Sequence, residues 1–65
     1  MDQPVYMRIR NYLLTNNFKF YKVADMSGIK RNDFYKMMTG RKIVGADDVL
    51  RIATAVNVRC TDFFQ

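Results

Sequence analysis

The sequence predicts an all-α fold in one domain spanning residues 1–65. Apolar residues recur at helical spacing along most of the chain, and asparagines and glycines that can end helices stand between the apolar segments. The chain has three glycines and one proline, which disfavours a β fold rich in turns. Hydrophobic residues make up 49% of the chain, so one small core can form.

These patterns predict five helices, numbered in chain order, over residues 4–15, 20–27, 31–39, 46–56 and 60–64. The first has apolar residues at helical spacing at Val5, Ile9, Tyr12 and Leu13. Proline early in a first turn is favourable, and Asp2 or Gln3 can cap the helix ahead of it. Asn16 and Asn17 are expected to end it, because asparagine tolerates the left-handed conformation.

The second predicted helix is short and turns Val23 and Ala24 inward. Gly28 follows it and supplies the positive φ that stops a helix. Ile29 is then expected to return to the core.

The third predicted helix has two faces. Phe34 and Met37, three residues apart, anchor it in the core, and Gly40 stops it. The opposite side carries a polar stripe with one aromatic residue, formed by Arg31, Asn32, Tyr35, Lys36 and Thr39. A stripe of this kind on a short basic helix is typical of a helix that enters a nucleic-acid groove.

The fourth predicted helix has a broad apolar face formed by Val49, Leu50, Ile52, Ala53 and Val56. Asp47 and Asp48 in its first turn suit the positive end of the helix dipole, and Asn57 is expected to end it. The fifth predicted helix is one last turn, which adds Cys60 and Phe63 to the core.

The net charge of +5 lies entirely in the middle of the chain. Residues 19–42 contain two acids, Asp25 and Asp33, against seven basic residues: Lys19, Lys22, Lys30, Arg31, Lys36, Arg41 and Lys42. In the remaining residues, basic and acidic side chains balance. Ordinary solubility charge would not need this segregation, whereas a polyanionic partner would.

Several classes of function are disfavoured. Cys60 is the single cysteine and histidine is absent, so neither an internal disulfide nor a zinc site is expected. Met7, Met26 and Met38 are interpreted as fillers of core gaps. We find no catalytic constellation, phosphate loop, signal peptide or membrane span, and therefore expect a cytoplasmic protein that is not an enzyme and has no cofactor or evident small-molecule ligand.

A gap-free series of residues runs through helices 2 to 5: Val23-Ala24-x3-Gly28-Ile29, Phe34, Met37, Gly40-Arg41-Lys42, Val49-Leu50-x-Ile52-Ala53-x-Ala55-Val56-Asn57-Val58 and Asp62-Phe63-Phe64. This series resembles the lambda-repressor-like family, the Cro/xenobiotic-response-element group of helix-turn-helix domains. With helix 1, the resemblance covers nearly the whole chain. It implies a five-helix domain in which helices 2 and 3 form the helix-turn-helix, with helix 3 in the major groove of DNA.

The resemblance also implies which residues contact DNA. The positions that match base contacts are Arg31, Asn32, Tyr35 and Lys36. The positions that match phosphate contacts are Lys19, Lys22, Lys30, Thr39, Arg41 and Lys42. The implied function is sequence-specific binding of double-stranded DNA as a small bacterial or phage regulator, a repressor or autoregulator, which associates with the nucleoid when bound. A homodimer on a palindromic operator is expected, with helix 4, the last turn and Phe64 as candidate self-association surface.

Four positions depart from the family's usual residues. Phe20 replaces a frequent glutamine at the start of helix 2, and Tyr35 replaces a frequent serine in helix 3. Val44 stands in place of the usual proline after Gly40. Leu13 and Met38 stand where members often have an arginine–glutamate ion pair, so we expect these two side chains to pack together.

Other interpretations of the same residues remain open. Arg31 and Lys36 could be solvated charges, Asn32 could help to start helix 3, and the ring of Tyr35 could pack on a neighbour. The alternative function is a protein-interaction module on the same scaffold. Its anchor would be an aromatic patch formed by Phe18, Phe20, Tyr21 and Tyr35.

Overall fold

The computed structural model describes residues 4–63, apart from the side chain of Cys60. Within that range the fold is all-helical, with four α-helices and a final 3₁₀ turn. The helices are α1 (Val5–Thr15), α2 (Phe20–Ser27), α3 (Arg31–Met38) and α4 (Ala46–Ala55), and the final turn is Cys60–Phe63. Predicted caps at Asp2 and Gln3, the core position of Cys60 and the exposed position of Phe64 lie outside the described residues.

The prediction of five helices is wrong in its last element. The segment Cys60–Phe63 is one 3₁₀ turn of four residues, too short for an α-helix. The Asp62 N–H donates to the carbonyl oxygen of Arg59, three residues earlier, at 3.0 Å. The final turn nevertheless delivers Phe63 to the core, where its ring meets Tyr12 edge-on with centroids 5.7 Å apart.

The backbone has the same conformation after all four helices. The residues that follow the helices, Asn17, Gly28, Gly40 and Asn57, have φ values of 60°, 75°, 80° and 61°. The sequence predicts each of them as the residue that ends its helix. After each of these positions, the next N–H donates to a carbonyl five residues back. The pairs are Phe18 to Leu13, Ile29 to Ala24, Arg41 to Lys36 and Val58 to Ala53, at 2.8, 3.0, 2.8 and 2.9 Å. These bonds satisfy carbonyls that a helix end would otherwise leave unpaired.

The core lies where α2 and α4 pack together, α3 packs on α2 and α1 packs on α3. Its largest fully buried side chains are Phe34, Ile9, Leu13, Met37, Met38, Ile52, Val23 and Val49. Leu13 and Met38 therefore belong to one core cluster, as their apolar character predicts. Ser27 is also buried, and its hydroxyl donates to the carbonyl oxygen of Ala24 at 3.0 Å.

Two predicted core residues are instead exposed. Leu50 and Met26 both retain 55% of their accessible surface. Four predicted core residues of the fourth helix, Val49, Ile52, Ala53 and Val56, follow the spacing of a single face. Leu50 lies about 100° round the helix from Val49 and so falls outside that face. The predicted apolar face of the fourth helix was thus too broad, and Met26 is not a core filler.

One of the two acids in the first turn of α4, Asp48, caps the start of the helix. The backbone N–H of Gly45 donates to the carboxylate of Asp48 at 3.1 Å, which satisfies a donor at the helix start.

No helix among residues 4–63 is both long and apolar enough to span a bilayer.

Candidate nucleic-acid interface

The third helix separates apolar from polar residues completely. Phe34, Met37 and Met38 are at most 2% exposed and hold α3 in the core. The other side is open to solvent, and all five predicted stripe residues are exposed there: Arg31, Asn32, Tyr35, Lys36 and Thr39. Since these positions follow helical spacing, they share one side of α3.

The predicted phosphate-contact lysines and arginine precede and follow this helix along the chain. Lys19 and Lys30 are the residues that precede α2 and α3, and Lys22 lies in the first turn of α2. Arg41 and Lys42 follow Gly40 in the loop after α3. All five side chains are exposed, so the helix-turn-helix places the excess positive charge on solvent-facing positions.

The end of α3 differs from the other three helix ends. After the left-handed residue, Phe18, Ile29 and Val58 are partly or fully buried apolar residues, as is usual for this motif. After Gly40 the corresponding residue is Arg41, which is exposed. At this helix end the usual apolar contact is therefore absent, and the exposed cation Arg41 stands in its place.

Gly40 is required for its backbone conformation, with a φ of 80°, and it also lies close to the tip of a side chain from α1. A Cβ atom at this position would lie 2.9 Å from the hydroxyl oxygen of Tyr6. Tyr6 of α1 therefore closes tightly over the end of α3. The first helix thus contacts the chain directly before Arg41 and Lys42.

Arg31 is held by two groups from α2. Its Nε and Nη2 atoms donate to the two carboxylate oxygens of Asp25 at 3.0 and 2.7 Å. Its guanidinium carbon lies 5.3 Å from the ring centroid of Tyr21, within the range of a cation–π contact. The hydrogen bond from Arg31 lowers the pKa of the Asp25 carboxyl below its ordinary value, so this group stays ionised at neutral pH.

Lys42 also pairs with an acid. Its Nζ atom lies 3.4 Å from a carboxylate oxygen of Asp33, in the first turn of α3. This contact draws the loop after α3 back towards the start of that helix. Both side chains remain partly exposed, at 45% and 35%, so the pair is open to exchange with another anion.

Tyr35 packs on a neighbour through its ring. Phe20 lies between the buried Phe34 and the exposed Tyr35, with ring centroids 5.8 and 5.9 Å away respectively. Phe20 thus connects the core to the exposed tyrosine and limits where the Tyr35 ring can move. Tyr35 is still 45% exposed.

The predicted aromatic patch is not one continuous exposed surface. Phe18 is half-buried and stacks on Tyr12 of α1, with centroids 6.2 Å apart. Phe20 is also half-buried, whereas Tyr21 and Tyr35 are exposed. Two of the four proposed anchors therefore serve mainly to pack the domain.

Thr39 is less available than its position in the stripe suggests. Its hydroxyl donates back to the carbonyl oxygens of Tyr35 and Lys36, at 3.0 and 3.2 Å. The hydroxyl hydrogen is therefore already used within the helix, and a phosphate contact would require an exchange of that bond.

Three residues of this surface were not identified from the sequence as site residues, namely Asp25, Asp33 and Tyr21 as a partner of Arg31. The sequence signal that could have identified the two acids was their charge, because both acids of the central basic segment pair with predicted DNA-contact cations.

In the described part of the chain, no group of three His, Cys, Asp or Glu side chains lies close enough together to bind a metal ion.

Comparison with known proteins agrees with this fold. The fold matches the crystal structure of the restriction-modification controller protein C.AhdI from Aeromonas hydrophila with a TM-score of 0.84 and 22% sequence identity, over 92% of this chain and 91% of that one. Curated protein sequences give no significant match. The family model of the Cro/C1-type helix-turn-helix DNA-binding domain matches residues 8–65. The chain therefore belongs to the Cro/C1-type helix-turn-helix DNA-binding domain family.

Proposed function

We propose that this protein binds double-stranded DNA in a sequence-specific manner and acts as a small transcriptional regulator, a repressor or autoregulator of bacterial or phage origin. The observation that carries the proposal is the exposed polar side of α3, which lies in the segment of residues 19–42 that holds the entire net charge and whose predicted phosphate-contact cations are all exposed. Family membership and the fold shared with a controller protein support the same function.

The dimensions of α3 suit the major groove. An α-helix with its side chains is about 10–12 Å in diameter, and the major groove is about 12 Å wide, so a helix such as α3 can lie in it. Arg31, Asn32, Tyr35 and Lys36 are the proposed base contacts. Arg31 and Asn32 lie in the first turn, the end that enters the groove in helix-turn-helix proteins.

The surrounding cations are the proposed phosphate contacts. They are Lys19, Lys22, Lys30, Arg41 and Lys42, with Thr39 contributing after exchange of its helix bond. Lys42 would exchange Asp33 for a phosphate, because its present ion pair is partly exposed and therefore weak.

A single reading helix gives limited contact area, so we propose that two copies bind a palindromic operator. The face of α4 that carries Leu50 is the proposed self-association surface among the described residues. Leu50, 55% exposed, lies beside Met26 at an open groove of about 550 Å³ that Arg51 and Thr54 also line. Covering such apolar side chains favours association.

Salt dependence of binding tests the proposal directly. For a labelled duplex, we expect affinity to fall roughly a hundredfold or more between 50 and 200 mM salt, because several phosphate contacts release counterions. The measurement is fluorescence anisotropy at several salt concentrations. A protein-interaction module anchored by Tyr21 and Tyr35 would bind duplex weakly and show little salt dependence towards its protein partner.

A further inference from the structure

We propose that Asp25 is a positioning residue for base recognition: it holds Arg31 by the Nε and Nη2 side of the guanidinium, so that the tip formed by Nη1 and Nη2 is aimed at a guanine. This inference rests on the proposed DNA-binding function. It assigns to an acid, within a surface that binds a polyanion, a role in specificity rather than in affinity.

The geometry of the ion pair leaves the recognition edge free. Asp25 accepts from Nε at 3.0 Å and from Nη2 at 2.7 Å, which occupies the side of the guanidinium nearest the backbone. A guanidinium has five N–H donors, of which this arrangement uses two. One hydrogen on Nη1 and the second on Nη2 remain parallel at the tip, which suits the O6 and N7 acceptors of guanine.

Two contacts favour this orientation of Arg31: the bidentate pairing with Asp25, which the Lys42–Asp33 pair lacks, and a ring contact. The Tyr21 ring contacts its guanidinium from α2, at 5.3 Å from the centroid, in addition to the two bonds from Asp25. An exposed arginine loses rotamer freedom when it binds a base, and a side chain already held in one geometry loses less. Asp25 and Tyr21 therefore orient the Arg31 side chain before DNA binds.

The charge of Asp25 also supports a role in specificity. Its side chain is 52% exposed beside the proposed groove helix, where a carboxylate repels phosphates and weakens binding to every sequence. The same carboxylate is compatible with Arg31 bound to guanine, because the carboxylate and the base accept different hydrogens of the guanidinium. Specificity is the difference between the affinity for the operator and the affinities for other sequences. A group that lowers the affinity for other sequences more than the affinity for the operator therefore increases specificity.

The chain offers a matched control for the test. Asp33 is the other acid of the basic segment, and it pairs with Lys42 instead of Arg31. Asp25→Asn and Asp33→Asn each remove one negative charge, and both are expected to raise affinity for a random-sequence duplex. The readout that separates them is discrimination, the ratio of affinities for the best operator and for the operator with its Arg31-dependent guanine replaced.

For Asp25→Asn we expect discrimination at that base pair to fall about fivefold, because an Arg31 that is no longer held must lose more side-chain freedom when it binds the base. Asp33→Asn should leave it unchanged, and Asp25→Glu should recover part of the loss. In an Arg31→Ala background, Asp25→Asn should have no effect on discrimination. Thermal melting should show that all variants are folded, since Asp25 is half-exposed.

Two outcomes would overturn the proposal, and they are distinguishable. If the wild-type protein discriminates among duplexes and Asp25→Asn keeps the full ratio, Asp25 does not position Arg31, while the DNA-binding function stands. If the wild-type protein binds duplex DNA without base preference or does not bind it, the proposed function itself fails and the role of Asp25 fails with it.

Discussion

Replacing Leu13 by arginine is expected to unfold the domain. Leu13 is fully buried in α1, so Leu13→Arg places a charge in the core without an opposite charge beside it. An uncompensated buried charge costs about 3–5 kcal/mol, which approaches the whole stability of a domain this small. Urea unfolding followed by circular dichroism measures the loss.

The neighbouring residue provides the control. Leu14 is 55% exposed, and Leu14→Arg should change the free energy of unfolding by less than about 0.5 kcal/mol. Met38, buried in α3, is the expected partner of Leu13. The double variant Leu13→Arg with Met38→Glu should therefore recover part of the loss through a new ion pair. A double variant no more stable than the sum of the singles would show that the two side chains do not touch.

Replacing Arg31 by alanine is expected to weaken binding to the best operator by about 1–3 kcal/mol and to relax preference at one base pair per half-site. The physical reason is the loss of the planar fork that matches the two acceptors of guanine. Arg31→Lys is the sharper control, because it keeps the charge and removes the fork. It should lose the base preference while leaving the salt dependence of binding unchanged.

Lys42→Ala should behave differently, since Lys42 lies in the loop beyond Gly40 rather than on α3. We expect it to weaken binding to all sequences alike and to lower the salt slope by roughly one unit per site. Titration of each variant against the operator and its single-base variants measures both effects. If Arg31→Ala weakens every sequence equally, Arg31 is a phosphate contact and the proposed orientation of α3 is wrong.

The helix ends were predictable because single residues determine them. Gly28, Asn17 and Asn57 adopt the left-handed conformation that their side chains tolerate, and α2 spans the predicted residues 20–27. The predicted third and fourth helices each ran one residue too long, because Thr39 and Val56 are the residues that cap the helix ends. The buried side of α3 followed from the spacing of Phe34 and Met37.

The side-chain pairs of the site depend on the angle between α2 and α3, which residue spacing does not determine. Asp25 reaches Arg31 across the turn at Gly28, and this contact needs the exact path of that turn. Hydrophobicity likewise did not distinguish the exposed Leu50 and Met26 from core residues. An apolar residue at the edge of the buried face of a helix has nearly the same spacing as the core residues, whether it is buried or exposed. Packing of neighbouring helices decides such positions.

The central claim is that the polar side of α3 reads the sequence of double-stranded DNA. The most direct measurement selects bound duplexes from a random pool and footprints the winner, with native mass spectrometry giving the number of chains bound. We expect an enriched palindrome with two protected half-sites about one helical turn apart, two chains per duplex, and loss of the enrichment for a guanine in the Arg31→Ala variant. A pool that shows no enrichment after repeated rounds would contradict the account.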